Sequence, residues 1–234
     1  MKIAYCFLVY HDIVPYSIWN QYFVNQSQEN YCVYIHSKYK TNSLLYTFPY
    51  QEVPNPIPTI RKSHISIVEA TLYLWKNALI DKEVTHIMFL SQNCIPLYPF
   101  DKLNTFLGSL PYSMISCIHG NKKERHKQMH PTLQKKIPYT SFVKQQPNML
   151  ITREDAELFI QYPMIHFFSN MECPDEHYFI NLIMYFFNKK IFMKQTHYCN
   201  PDPNKTQAVT FHHLSPKQLK DIQSKGYLFM RKVI

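Results

Sequence analysis

The chain has 234 residues and a formal charge of +9, with 46% hydrophobic and 18% charged residues. It is long enough to bury a core without disulfide or metal staples and too apolar for wholesale disorder. With 3 Gly against 16 Pro, 18 Tyr and 16 Phe, it holds neither the dinucleotide fingerprint nor the P-loop pattern, both of which need clustered glycines.

In chain order, residues 3–10 form a continuous apolar run, the pattern of a strand covered on both faces. Residues 16–24 read as a short helix with Ile18, Trp19, Tyr22 and Phe23 inward, and 31–36 as a second strand ending at His36. Residues 38–60, with Pro49, Pro54, Pro56 and Pro58, are an irregular connection. A helix is expected from near Ser63, where Ile67, Ala70, Leu74 and Ala78 recur at helical spacing and Ser66-x-x-Glu69 has capping-box form. Residues 85–90 are a third strand ending in Ser91-Gln92-Asn93, and 112–118 a fourth. The charge-rich stretch 119–136 reads as an exposed, mobile loop. A strand at 148–152 and a helix at 153–161 follow. A second strong helix is expected over 174–187, with Asp175 and Glu176 at its positive end. A turn at 200–204, a helix at 215–223 and a strand running into Arg231-Lys232 close the chain. Alternating strands and helices imply an α/β sheet. Without a repeat or linker, 1–234 reads as one domain.

The six cysteines are scattered, with no C-x-x-C pair, which fits small buried hydrophobes in a reducing compartment. No segment is long enough to span a bilayer. The first apolar run lacks a cleavage site and meets His11-Asp12 at once, so it reads as a strand and not a signal peptide. A soluble, cytoplasmic protein is the expectation.

Three constellations could carry chemistry. In Cys173-Pro-Asp-Glu-His-Tyr178, proline suits a first helical turn, and two carboxylates follow that could cap it or supply a general base. Arg231 and Lys232, after an apolar strand and joined by Lys205, could grip a diphosphate or be a solvated end. His126 and His130 have i, i+4 spacing and His119 is near, but no further ligand stands at diagnostic spacing, so no metal site is expected. The chain also has no Asp-x-Asp, so protein cations would have to offset a diphosphate.

Several segments in order, namely residues 3–11, 31–36, 65–72, 89–97, 148–154, 173–178 and Phe229-Met-Arg-Lys232, together resemble the core-2/I-branching β-1,6-N-acetylglucosaminyltransferase family, which includes xylosyltransferase-like and plant branching-enzyme-like relatives. The resemblance covers nearly the whole chain. It implies a GT-A-like nucleotide-sugar-binding fold with a mostly parallel central sheet flanked by helices. It also implies an inverting, metal-independent transferase with Glu176 as catalytic base and Lys232, with Arg231 or Lys205, on the donor diphosphate. Asp175, Asn93, Gln92 and His36 are the candidate substrate-binding residues. The expected partners are a UDP-sugar (GlcNAc or xylose) and a glycan or glycoprotein acceptor; nucleic acid is not expected, and no cofactor is required. Relatives carry a Trp-containing pair where this chain has Ser63-His64, and a Gly-Ser pair where it has 145–148. Animal and plant relatives are membrane-anchored and lumenal, whereas a chain with no anchor fits a cytoplasmic enzyme of a microbe or large virus. The alternative is a non-catalytic glycan- or nucleic-acid-binding protein on a degenerate transferase fold.

Overall fold

The structure is a computed structural model describing residues 1–60, 64–119, 123–200 and 209–234. Its centre is a five-stranded sheet with strands β1 (Lys2–Val9), β2 (Tyr31–Ser37), β3 (Gln51–Glu52), β4 (Val84–Ser91) and β6 (Met149–Thr152), in the order β3-β2-β1-β4-β6. All neighbours are parallel except β4 and β6. This is the α/β architecture with a mostly parallel sheet expected above.

Strand alternation divides the core between the two faces. Ala4, Cys6, Ile87, Phe89, Met149 and Ile151 face one cluster. There they meet α2 (Ser66–Ala78), α6 (Arg153–Gln161) and α7 (Tyr178–Asn181) through Val68, Trp75, Phe159 and Phe179. Ile3, Tyr5, Phe7, Met88, Leu90 and Leu150 face the other, against α1 (Tyr16–Phe23) and α3 (Phe100–Gly108). Coverage on both faces explains why β1, β2 and β4 read as unbroken apolar runs. Trp19, Tyr22 and Phe23 are buried as expected, and Trp19 and Phe23 stack at 5.6 Å. A smaller sheet, β5 (Ile95–Pro96), β8 (Phe229–Arg231) and β7 (His197–Cys199) in that order, lies beyond the end of β4.

Four expectations are corrected. Helix α2 begins at Ser66, and Ser66 is no cap: its hydroxyl receives the Ile60 N–H, while His64 Nδ1 accepts the Ser66 N–H. Ser63 lies outside the described residues. Residues 112–118 make only isolated bridges, at Met114 and Ile118. Ser113 and Ser116 side chains there receive the N–H groups of Thr152 and Gln146, replacing ladder carbonyls. The stretch read as a loop holds two short helices, α4 (Lys123–Lys127) and α5 (Pro131–Lys136), fastened by buried Met129 and Leu133. The helix expected over 174–187 is three pieces: a 3-10 turn at Pro174–Glu176, α7, and a π turn at Leu182–Phe186. Gln145 Oε1 takes the Ile180 N–H at 2.6 Å, and Asn181 brackets Val143 with both ends of its amide, so side-chain partners fix where α7 starts. Strand β7, helix α3 and the β5–β8 pairing have no counterpart in the sequence reading. All six cysteines are unpaired.

His36, His86 and His197 are buried, and desolvation lowers the pKa of each. The unfolded chain therefore binds these protons at a pH where the folded chain does not, and stability falls as pH drops below about 6.5. The urea midpoint is expected to be lower at pH 5 than at pH 7.5; an equal or higher midpoint at pH 5 would refute this.

Candidate active site

The strand order reverses between β1 and β4, with β2 on one side and β6 on the other. In open α/β sheets, the crevice beyond the carboxyl ends of such strands is where ligands bind. The strand ends here are tied together. Gln92, after β4, accepts the Tyr10 N–H on Oε1 at 2.8 Å and the Val14 N–H on its carbonyl, holding the loop after β1. Asn93 exchanges bonds with Val233, giving Nδ2 to its carbonyl and taking its N–H. That contact pins the segment just past β8 beside the end of β4. The Lys232 carbonyl is fixed by the Phe211 N–H at 2.8 Å. His36, at the end of β2, is buried, and its Nε2 receives the Ile57 N–H at 2.9 Å. Gln92, Asn93 and His36 thus direct these atoms to the protein's own backbone. Lys205 lies outside the described residues.

The Pro-Asp-Glu turn approaches from the other side. Cys173 enters it in the left-handed region, φ 53°, and Glu176 ends it. The helix that follows has only four residues, so the expected helix-dipole support for the two carboxylates is small. A real charge stands in its place: Lys144 Nζ is 2.6 Å from Glu176 Oε2. The Gln145 N–H donates to the Glu176 carbonyl at 2.7 Å. Asp175 is half-buried, and burial first, then the charge of Glu176, push its carboxyl up to about 6 against the pull of Lys144 and Arg231. His177 donates from Nδ1 to the Val143 carbonyl and stacks on Phe142 at 4.8 Å; burial lowers it to about 4.

Segment 144–148 joins the two sides. Asn148 accepts from Arg231 Nη1 on Oδ1 at 3.2 Å and donates from Nδ2 to the Phe89 carbonyl. The Asn148 side chain therefore holds the guanidinium against the end of β4. Arg231 Nε is buried without a partner among the described residues. Lys144 is the site residue that the sequence reading did not pick out; Gln145 and Asn148 lie where relatives carry a Gly-Ser pair, but the sequence gives their side chains no role. Their signal is slight: a polar run between the apolar stretches 142–143 and 149–151.

At the rim, Tyr10, His11 and Tyr39 form an exposed aromatic group. His11 stacks on Tyr39 at 4.7 Å, and Lys38 Nζ stands over both tyrosine rings. The loop histidines do not converge: His126 donates to the Ile137 carbonyl, and His130 Nδ1 caps α5 by accepting the Thr132 N–H. Among the described residues, no three His, Cys, Asp or Glu side chains are grouped to hold a metal ion.

The profile of the Core-2/I-Branching enzymes matches residues 3–223. The chain belongs to the core-2/I-branching enzyme family. A curated relative is Glycosyltransferase BC10 of Oryza sativa subsp. japonica, 22% identical over 164 residues, which cover 68% of this chain and 40% of the rice protein. A solved structure that matches is the apo form of the bifunctional glycosyltransferase WbbM, with TM-score 0.47 and 9% identity, covering 97% of this chain and 45% of that one. The chain thus spans less than half the length of each. Within this branching-enzyme family member, no described helix is long and apolar enough to cross a membrane.

Because a desolvated carboxylate is a cost present only when ionised, Asp175→Asn is expected to raise the urea midpoint at pH 7.5. The gain should shrink as pH falls through about 6 and vanish below the unfolded value near 4, where wild-type Asp175 is neutral in both states. A gain that persists undiminished at pH 4 would contradict this origin.

Proposed function

We propose that this chain is an inverting, metal-independent glycosyltransferase that moves a sugar, GlcNAc or xylose by preference, from a UDP-sugar to a hydroxyl of a glycan or glycoprotein acceptor. The observation that carries the reading is the convergence of Glu176, through segment 144–148, on the end of the strand that bears Arg231 and Lys232. On this reading Glu176 and the basic pair act as base and diphosphate partners from one crevice at the strand-order reversal. Family membership supports the same roles.

In the proposed reaction, Glu176 takes the proton of the acceptor hydroxyl as that oxygen bonds to the anomeric carbon. The bond from that carbon to the diphosphate oxygen breaks on the opposite face. Its electron pair leaves with UDP, and the configuration inverts. Lys232, with Arg231 beside it, offsets the charge growing on the diphosphate, the kind of preorganised stabilisation that dominates many enzymes. His11 and Tyr39 offer a ring face on which a base can stack, with Lys38 beside it.

Glu176→Gln is expected to lower transfer at least about 10²-fold while calorimetry still records UDP binding. Near-normal turnover would remove Glu176 from the mechanism. Binding of UDP-sugar and acceptor without turnover in the wild type would favour a carbohydrate-binding protein instead.

Transfer should persist in excess EDTA; loss of activity that Mn²⁺ restores would overturn the metal-independent reading. Lys232→Ala should weaken UDP binding and slow transfer together, with a smaller loss for UMP, which lacks the second phosphate. Unchanged UDP affinity would place the diphosphate elsewhere.

A further inference from the structure

We propose that Lys144 is the positioning residue of the site, holding the Glu176 carboxylate by one oxygen so that the other faces the acceptor hydroxyl. The inference rests on the reading of Glu176 as the base.

The geometry carries it. Glu176 is anchored twice by consecutive residues: its side chain by Lys144 Nζ at 2.6 Å, and its backbone carbonyl by the Gln145 N–H at 2.7 Å. The backbone anchor is rigid, because Gln145 is fully buried and its own Oε1 is committed to the Ile180 N–H. Lys144 is also fixed along its backbone, which exchanges both hydrogen bonds with Ile118. An ammonium held at both ends of its residue, 2.6 Å from one carboxylate oxygen, restricts rotation of the terminal carboxylate, which is otherwise broad.

The magnitude argues against a stabilising role. The two side chains are 34% and 29% exposed, and ion pairs this open to solvent contribute about 0–1 kcal/mol. Orientation at a reacting centre counts for far more, since a misplacement of about 1 Å can cost about 10²-fold in rate. The other charged groups near Glu176 cannot substitute. Arg125, on α4, is ion-paired with Glu172. Asp175 is a like charge on the same turn, and Arg231 is held by Asn148. His177 gives its Nδ1 proton to Val143.

The test compares Lys144→Met, Lys144→Arg and Glu176→Gln by hydrolysis of UDP-N-acetylglucosamine, by UDP calorimetry and by melting temperature. A second arm records the side-chain carboxyl resonances of ¹³C-glutamate-labelled protein, with Glu176 assigned by its absence in Glu176→Gln. Lys144→Met should lower kcat about 10- to 100-fold, leave KM for the donor and UDP affinity within about twofold, and move the melting temperature by no more than about 2 °C. Lys144→Arg should recover most of the rate. The Glu176 resonance should move or broaden in Lys144→Met. Wild-type kcat in Lys144→Met, where Glu176→Gln is impaired, overturns the positioning role and leaves the base assignment standing. Wild-type turnover in Glu176→Gln overturns the base assignment instead. An unmoved Glu176 resonance in Lys144→Met overturns the proposal whether or not this donor is hydrolysed.

Discussion

The site depends on one constraint: the polar segment 144–148 must satisfy its hydrogen-bonding groups beside an apolar core, and it does so by bonding the Pro-Asp-Glu turn, the end of β4 and Arg231. Gln145 and Asn148 are buried, and burying an amide without partners costs about 1–3 kcal/mol. Their partners are the Glu176 carbonyl, the Ile180 N–H, the Phe89 carbonyl and Arg231. The need to satisfy these groups ties the Pro-Asp-Glu turn to the end of β4 and to the strand bearing Arg231. The arrangement of the crevice follows from burial.

The same constraint accounts for the helix that broke. A run such as 174–187 has the composition of one continuous helix, but a helix needs its N–H groups to reach back along its own chain. Here the Ile180 N–H is taken by Gln145 Oε1, and the Glu176 carbonyl it would reach in a continuous helix is taken by the Gln145 N–H. The first turn is left as a separate 3-10 piece, which carries Glu176 on a tight turn outside the helix. Lys144, in place of a helix dipole, then supplies the positive charge nearest the carboxylate.

Much of the fold was legible because strands β1, β2, β4 and β6 are covered on both faces, so burial alone writes them as apolar runs. Segment 112–118 has the same composition but is no strand, because Ser113 and Ser116 side chains answer the neighbouring N–H groups. Nothing in local pattern distinguishes those serines from ordinary strand residues. Of the site, Glu176, Arg231 and Lys232 stood out by residue type and by family resemblance. Lys144 did not, and the roles of Gln145 and Asn148, within the flagged stretch 145–148, did not either, because each acts on residues distant in sequence: Gln145 reaches 35 positions, Asn148 reaches 59 to Phe89 and 83 to Arg231. The helix dipole expected beneath Glu176 failed for the same reason, since a distant side chain decided where the helix began.

Strand β8 has a consequence for the order in which the molecule is built. Its neighbours are β5 and β7, and the contact that locks the segment beyond it joins Asn93 to Val233 across 140 positions. Closing so long a loop carries an entropic cost that local pairing does not, so contacts of this kind form late in folding. The strands β1, β2 and β4 can pair before the ribosome has delivered β8, giving a nascent chain with its sheet in place and no cationic wall to its crevice. The contact of Arg231 with Asn148 at the end of β4 therefore forms after the sheet, and a chain lacking β8 would keep β1, β2 and β4 paired without it.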